Sequence, residues 1–307
     1  MKSQRSSYVF LTACLAALLI VTILVAGCTS NSATTSTATA TTPAGSAPAA
    51  TTQSETLTLT GSTTVLPIAQ AVADNFSATH PNANIQVSGG GSGVGIQAII
   101  NNKVDIGMSS AVVSPAQLAQ DSNMNIITIA HDGIAIIVNP KNSIPSITLD
   151  QVKAIYNGSI TSWSSVAGAG VANSNNQIVL VGRDSSSGTR TYFDQFVMKS
   201  TNDSMSMHED NSNGAVLQEV AQTPNAIGYI SIGYLDNTVK ALPINVNGTL
   251  IAPSVATVKD KTYPIHRDLY MITNGQPTGL AADYINFLLS PAGQQIVVAQ
   301  GYVALNS

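Results

Sequence analysis

Charged side chains are scarce in this sequence, and their scarcity limits what the protein can do. Asp, Glu, Lys and Arg make up 9% of the 307 residues, against roughly 25% in ordinary soluble domains. The formal net charge is −4, and no basic run follows Arg5. Because a nucleic-acid backbone requires clustered Lys and Arg, we expect no nucleic-acid partner. Glycine, serine, threonine and asparagine carry the polarity instead, which suits a protein outside the cell.

Cysteine is almost absent from the chain. Cys14 and Cys28 are the only two, and cleavage before Cys28 would leave the body without a pair. The sequence therefore excludes a disulfide framework, a cysteine-based metal site and a thiol nucleophile. The four histidines are dispersed, and no Gly-x-Ser-x-Gly nucleophile elbow is present. We expect no metal, no cofactor and no catalysis, and a hydrolase is the weakest alternative.

The N-terminus has the pattern of a secretory signal. Lys2 and Arg5 precede an apolar run at 8–26, and the letters VAGC at 25–28 resemble a lipobox. This pattern predicts a signal peptide at 1–27 and a lipid anchor on the cysteine that follows it. An uncleaved membrane anchor is the alternative, because the apolar run approaches the roughly 20 residues that span a bilayer. Either anchor places the body on the extracytoplasmic face of the membrane.

The rest of the chain divides into a tether and a body. Residues 28–55 are rich in Ser, Thr, Ala and Pro, which predicts a flexible tether because such a segment cannot bury apolar surface. From residue 56 onward, short apolar runs alternate with glycine- and serine-rich loops and stretches of helical spacing. This alternation predicts an α/β fold with a parallel sheet covered on both faces. In such sheets, ligands bind at the carboxyl ends of the strands.

Three loops follow predicted strands and lead into predicted helices. They are GSTT at 61–64, GGGSG at 89–93 and SSSGT at 185–189. The first turn of a helix has unpaired backbone N–H groups at its positive end, and glycine lets a ligand approach them. Three such loops together would surround a small oxyanion with neutral donors, and Arg183 would supply one full charge. Each loop taken alone is better explained as an ordinary helix cap.

Eight segments, in order, resemble the phosphate-binding proteins of phosphate ABC transporters, which have a two-lobed type II periplasmic-binding-protein fold. The most specific is the R-x-x-x-S-G-T pattern that begins at Arg183. The eight segments are GSTTV, GGGSGVG, VDIGMSS, ITLDQVKAIYNGSITSW, GRDSSSGT, AIGYISIGYL, YPIHRDLYM and FLLSPAGQQIVVAQGY. The resemblance implies one lobe at 56–132 plus 245–307 and a second lobe at 133–244, with the ligand between them.

The resemblance also implies the ligand contacts and the partners. The implied contacts are Ser62, Thr63, Thr64, Ser92 and Ser110 in the first lobe, and Arg183, Ser187, Gly188 and Thr189 in the second. Inorganic phosphate bound to both walls would favour a closed state through a hinge motion. The closed protein, which we expect to be a monomer, would then dock on a membrane permease powered by a separate ATPase.

One position departs from the family pattern. Well-known members have Asp where this chain has Ser110, and that carboxylate accepts the proton of hydrogen phosphate and repels fully ionised sulfate. Because serine can donate to either anion, selectivity among phosphate, sulfate, molybdate and tungstate stays open. Asp132 and Asp184 are candidate substitutes, although we expect Asp184 to orient Arg183. A surface sensor or adhesion module on the same fold is the alternative from another class.

Overall fold

The computed structural model describes residues 54–166, 177–199 and 201–305. The predicted signal peptide, Cys28 and the tether up to residue 53 lie outside these ranges. The strands are β1 (Glu55–Gly61), β2 (Ala83–Ser88), β3 (Ile106–Ser109), β4 (Met124–Val138), β5 (Val179–Arg183), β6 (His208–Asp210), β7 (Ala226–Ser231), β8 (Lys240–Ala241), β9 (Ile244–Val246), β10 (Thr249–Ile251) and β11 (His266–Asn274).

The helices begin after most of these strands. They are α1 (Leu66–Thr79), α2 (Ser92–Ile100), α3 (Pro115–Leu118), α4 (Leu149–Tyr156), α5 (Gly188–Phe193), α6 (Asn213–Gln222), α7 (Val255–Lys259), α8 (Gly279–Leu289) and α9 (Pro291–Ala299). A π-helical turn, Asp194–Met198, continues α5. No helix in the described ranges is long and apolar enough to cross a membrane.

In the described residues, nine strands form one mixed sheet. Its order is β2-β1-β3-β11-β4-β7-β5-β6, with β8 paired to β4, while β9 and β10 form a separate hairpin. β1 is parallel to β2 and β3, and β5 is parallel to β6 and β7. β4 and β11 run antiparallel to each other and to their neighbours. The prediction of a parallel sheet is therefore right for the outer strands and wrong for the middle, where two long strands connect the lobes.

Two large apolar cores share the long strand β4. One core contains Ile129 and Ala130 of β4 together with buried side chains of β1, α1, β3 and α8. The other contains residues 134–138 of β4 together with buried side chains of α4, β5, α6 and β7. Asp132 lies between these two sets, at the crossing point. The lobe boundaries after 132 and 244 stay a prediction, and Val258, Tyr263 and Ile265 pack with the second core.

Helix α1 shows how the sequence positions the first loop. Pro67 lies in its first turn, where the missing N–H has no intrahelical partner to lose. Ile68, Val72 and Phe76 are buried, as their spacing predicts. Burial of each such side chain contributes about 1.5–3 kcal/mol. The buried face therefore holds α1 in place and fixes its N-terminus beside the loop at 61–65.

Candidate functional site

The three predicted loops meet at one junction. The Gly91 N–H donates to Gly61 O at 2.9 Å, and the Gly93 N–H donates to Ser186 O at 2.9 Å. Backbone hydrogen bonds therefore join the loops before α1, α2 and α5. Gly91 has a φ of +96°, and a Cβ at this position would lie 2.3 Å from Ser186 Oγ. Only glycine permits both this conformation and this close approach.

All nine implied ligand residues are buried at this junction, which we call the cradle: Ser62, Thr63, Thr64, Ser92, Ser110, Arg183, Ser187, Gly188 and Thr189. Their hydroxyl groups are linked. Ser62 Oγ donates to Ser110 Oγ at 2.9 Å, and Ser92 Oγ lies 3.3 Å from Ser110 Oγ. Thr64 Oγ1 lies 3.1 Å from Thr189 Oγ1. That these residues bind an anion stays a prediction, but the fold brings them together.

Helix capping explains one of the three loops. Ser187 Oγ accepts from the Arg190 N–H at 3.2 Å and so caps α5. The residues that precede α1 and α2, Val65 and Gly91, provide no side-chain cap. The hydroxyl groups of the first two loops are therefore buried for a reason other than capping.

Arg183 ends β5 inside the cradle and is 1% exposed. Its Nε donates to Asp210 O, and its Nη2 donates to Thr63 Oγ1 and Asn211 O, all at 3.2 Å. Across the described ranges, Nη1 has no hydrogen-bond partner and the guanidinium has no ion pair. Burial lowers the pKa of Arg183, while Tyr229 and Asp184 oppose that shift. A buried cation without a carboxylate is costly, and an anion on Nη1 would relieve that cost.

Asp184 does not orient Arg183, contrary to the sequence-based expectation. Its Oδ1 accepts instead from the Ser186 N–H at 2.9 Å and from Ser186 Oγ at 2.7 Å. An aspartate commonly bonds the backbone two residues ahead in this way to shape a turn. Ser186 Oγ lies 2.9 Å from Gly90 O, so Asp184 holds the third loop against the second.

A second guanidinium, Arg267 of β11, lies in the cradle and was missed from the sequence. Its Nη2 lies 3.2 Å from Thr64 Oγ1 and 3.0 Å from Thr189 Oγ1, and these two oxygens share one of its hydrogens. Its Nη1 donates to Ser110 O at 3.1 Å and to Gly188 O at 3.3 Å. Arg267 therefore contacts both walls of the cradle: Thr64 and Ser110 on the wall of the first implied lobe, and Gly188 and Thr189 on the wall of the second. The available signal was its position in β11, where it shares a buried face with the apolar residues two and four places ahead.

Arg267 is neutralised by Asp132 of β4. Asp132 Oδ2 accepts from Arg267 Nε at 3.0 Å and from Nη2 at 2.8 Å, and its Oδ1 accepts from Ser231 Oγ at 2.7 Å. Burial raises the pKa of Asp132, and the Arg267 charge and the Ser231 hydroxyl oppose that shift. Both carboxylate oxygens are engaged, so Asp132 supports Arg267 and is not free to accept a proton from a ligand.

Asn213, which was missed from the sequence, also contacts the first loop of the cradle, as do Tyr234 and Tyr302. Asn213 Nδ2 donates to Thr63 Oγ1 at 3.3 Å and to Thr64 Oγ1 at 3.0 Å. Tyr234 OH donates to Thr63 O at 2.6 Å, and burial raises its pKa to about 12. Tyr302 OH donates to Thr64 O at 2.7 Å. These residues bond protein atoms of the first loop and so hold its hydroxyl groups in place.

The charges of the cradle suit one small anion. Arg183 and Arg267 carry two positive charges and Asp132 carries one negative charge, which leaves one positive charge in a buried, hydroxyl-lined place. Low dielectric strengthens the attraction of such a charge for an anion. Among the described residues, no group of three or more His, Cys, Asp or Glu side chains could hold a metal ion. The arrangement can therefore bind a tetrahedral oxyanion through neutral donors and a guanidinium.

Comparison with known proteins agrees with this arrangement. The chain matches the family described as PBP superfamily domain over residues 42–292. It is also 33% identical over 251 residues to the phosphate-binding protein PstS of Bacillus subtilis, covering 81% of each chain. The chain belongs to the PBP superfamily.

Solved structures of PBP superfamily relatives extend the comparison. A crystal structure with bound phosphate from Clostridium perfringens has a TM-score of 0.75 at 29% identity, over 82% of this chain and 100% of the other. An ABC-type phosphate transport receptor from Vibrio cholerae has a TM-score of 0.65 at 28% identity, over 81% and 100%. The two-lobed type II fold expected from the sequence is confirmed.

Close packing at Gly188 allows a test of how tightly the cradle closes. A Cβ at Gly188 would lie 2.1 Å from Ser92 Oγ and 2.8 Å from Ser110 Oγ. Overpacking of this kind costs about 1–3 kcal/mol, so Gly188→Ala should weaken phosphate binding by roughly 5- to 150-fold. The measurement is isothermal titration calorimetry. Gly214→Ala is the control because nothing lies within 4 Å of a Cβ there; equal affinity of both variants would mean that the walls do not meet at Gly188 when loaded.

Proposed function

We propose that this protein is an extracytoplasmic receptor that captures inorganic phosphate between its lobes and delivers it to the permease of an ABC transporter. The observation that carries this proposal is Arg183, a buried cation without an ion pair in the described residues. Its Nη1 lacks a partner there, its Nη2 donates to Thr63 Oγ1, and the Thr64 and Thr189 hydroxyl groups meet in the same cradle. A tetrahedral dianion would accept from all of these donors.

The relatives support phosphate as the ligand. The Bacillus subtilis relative is named phosphate-binding protein PstS, and so is a Borreliella burgdorferi protein that is 30% identical over 257 residues. The Clostridium perfringens structure contains phosphate. The family is one of solute-binding proteins, and we propose that this chain carries out no catalysis.

A second oxyanion is the alternative that a specific observation favours. Neither carboxylate considered from the sequence is free to take the proton of hydrogen phosphate, since Asp132 is engaged by Arg267 and Ser231. Asp184 is engaged by Ser186. Without a carboxylate to repel it, sulfate, molybdate or tungstate would meet the same donors. This observation leaves open which oxyanion the cradle prefers. It does not affect the proposal that the cradle binds an oxyanion.

The remaining parts of the proposal concern the anchor and the partners. A lipid on Cys28 would hold the protein at the outer face of the cell membrane. Residues 29–55 would act as a flexible tether that lets the body extend from the membrane surface. The permease with its separate ATPase would receive the anion from the closed monomer. The surface sensor or adhesion module stays the alternative for a chain that binds the anion without delivering it.

Calorimetry on the full chain, purified in detergent and stripped of ligand, tests the proposal. Phosphate is titrated first, followed by sulfate, molybdate and tungstate. Tight phosphate binding is the expected result, and the sulfate, molybdate and tungstate titrations then decide selectivity. A preference for sulfate, molybdate or tungstate would replace phosphate as the ligand, and binding of no oxyanion would contradict the proposal and favour the sensor or adhesion module. Phosphate uptake by cells that lack the chain, compared with cells that have it, then separates transport from sensing.

A further inference from the structure

Asn213 has an orientation that its surroundings determine without ambiguity. It is the first residue of α6 and is fully buried. The Ser231 N–H donates to its Oδ1 at 3.2 Å. Because a backbone N–H can only donate, the oxygen of the amide must face Ser231. The Nδ2 group must then face Thr63 and Thr64, and it donates to both hydroxyl oxygens.

Both threonine hydroxyls are thereby forced to donate. Thr63 Oγ1 accepts from Asn213 at 3.3 Å and from Arg183 Nη2 at 3.2 Å. Thr64 Oγ1 accepts from Asn213 at 3.0 Å. Arg267 Nη2 gives one of its two hydrogens to Asp132 Oδ2 at 2.8 Å, and Thr64 Oγ1 shares the other with Thr189 Oγ1, at 3.2 and 3.0 Å. A hydroxyl oxygen has two lone pairs and one hydrogen. With both lone pairs occupied, each threonine has only its hydrogen left to offer.

The donor role of Thr64 also constrains Thr189, on the opposite wall of the cradle. Thr64 Oγ1 lies 3.1 Å from Thr189 Oγ1, which also accepts from Arg267 Nη2 at 3.0 Å. When Thr64 donates to Thr189, both lone pairs of Thr189 are occupied and its own hydrogen must point elsewhere. Among the described residues, neither the Thr63 hydrogen nor the Thr189 hydrogen then has a protein acceptor. Both are available to an anion.

The serine side of the cradle is built differently. Ser110 Oγ accepts from Ser62 Oγ, and its second close neighbour, Ser92 Oγ, can act as donor or acceptor. No guanidinium or amide donates to the Ser110 hydroxyl oxygen in the described residues. The hydroxyl can therefore rotate and accept one proton from a ligand. The cradle therefore has a threonine end, which can only donate hydrogen bonds to a ligand, and a serine end at Ser110, which can donate or accept them.

We propose that Asn213 determines which protonation state of phosphate is bound. It fixes Thr63 as a donor to the anion and Thr64 as a donor to Thr189, whose own hydrogen then faces the anion, so this end of the cradle takes only unprotonated oxygens. This inference rests on the proposed function. Monohydrogen phosphate places its single P–OH group beside Ser110. Dihydrogen phosphate has a second P–OH group, whose hydrogen would face a donor hydrogen at the threonine end of the cradle. This form of phosphate is therefore rejected. Asn213 itself uses both amide hydrogens on the threonines, so it is a positioning residue.

The test is the pH profile of phosphate binding to the full chain, measured by calorimetry on either side of the second ionisation of phosphate, at about pH 5.5 and about pH 8.5. In the wild type, affinity should fall by more than about tenfold at the lower pH, because one proton must leave the ligand before it binds. In Asn213→Ala, Thr63 can accept from the ligand and Thr64 can accept from Thr189, so the same pH change should alter affinity by less than about threefold. A merely structural defect would weaken binding equally at both pH values.

Asn213→Asp gives an independent readout if the alanine variant folds poorly. It keeps an acceptor for the Ser231 N–H. Its ionised carboxylate accepts from Thr63 and Thr64, which withdraws the Thr63 hydrogen from the anion and the Thr64 hydrogen from Thr189, whereas its protonated form restores a donor. Affinity relative to the wild type should therefore fall by about a hundredfold at the higher pH and recover at the lower pH. Gln218→Glu, exposed on the same helix, adds the same charge and should leave the wild-type profile.

Three results would overturn the inference. One is a wild-type pH profile in both Asn213 variants, which would leave Asn213 with a structural role only. Another is a Gln218→Glu profile that matches Asn213→Asp, which would attribute the effect to charge alone. The last is a wild-type chain that binds no phosphate at either pH; in that case the proposed function fails, and the inference fails with it.

Discussion

Arg183→Ala should weaken phosphate binding by about 2–5 kcal/mol, the usual loss when one partner of a buried charged contact is removed. This corresponds to a dissociation constant roughly 30 to several thousand times larger. The reason is local. Arg183 is buried, and it has no ion pair among the described residues to share its charge. The chain is acidic overall, so its general field does not attract an anion, and the loss cannot be made up elsewhere on the surface.

The measurement is calorimetry with phosphate, supported by an unfolding curve for each variant. Arg183→Lys keeps the charge but loses the planar fork and the bonds to Asp210 and Asn211. It should fall between the wild type and Arg183→Ala. Lys103→Ala removes a positive charge at an exposed position and should bind like the wild type. An unchanged dissociation constant in a folded Arg183→Ala protein would remove Arg183 from the site.

The parts of the fold that depend on local pattern could be predicted from the sequence. The apolar spacing of α1 and the strand–loop–helix order around the three loops are confirmed. The antiparallel middle of the sheet could not be predicted in the same way. β4 and β11 pair across more than a hundred residues, as in the contact between Asp132 and Arg267, which are 135 residues apart. No local spacing carries the direction of such a pair.

The cradle shows the same limit. Its three loops were found because each consists of Gly, Ser and Thr residues or of Gly and Ser alone, a pattern that is readable within a few residues. Arg267 and Asn213 have no such signature, and each becomes part of the site only through contacts with distant residues, such as Thr64. For Arg267, the scarcity of charge adds to the signal from its position in β11. In a chain with 9% charged residues, an arginine on the apolar face of a strand indicates a buried partner or a ligand.

We expect the Asp132–Arg267 pair to stabilise the contact between the long strands β4 and β11. The variant Asp132→Asn tests this role. The pair joins β4 to β11 at the point where the two cores meet, and the side chains are 0% and 2% exposed. Removing one partner leaves a buried guanidinium without its counter-charge, which costs about 3–5 kcal/mol. The free energy of unfolding, measured by denaturant titration, should fall by that amount. Asp283→Asn removes the same charge from an exposed helical position and should change it by less than about 0.5 kcal/mol.

A double variant separates two contributions to stability. One is the cost of leaving a buried charge without its partner, and the other is the net contribution of the ion pair itself. Taking two charges out of water offsets much of their attraction, so replacing a whole buried pair by apolar side chains is often neutral. Asp132→Leu combined with Arg267→Met should therefore be more stable than Asp132→Asn alone, while phosphate binding is lost because Thr64 and Thr189 lose their shared donor. If the double variant is the less stable of the two, the pair itself supports the fold. If it keeps full phosphate affinity, Arg267 has no part in the cradle.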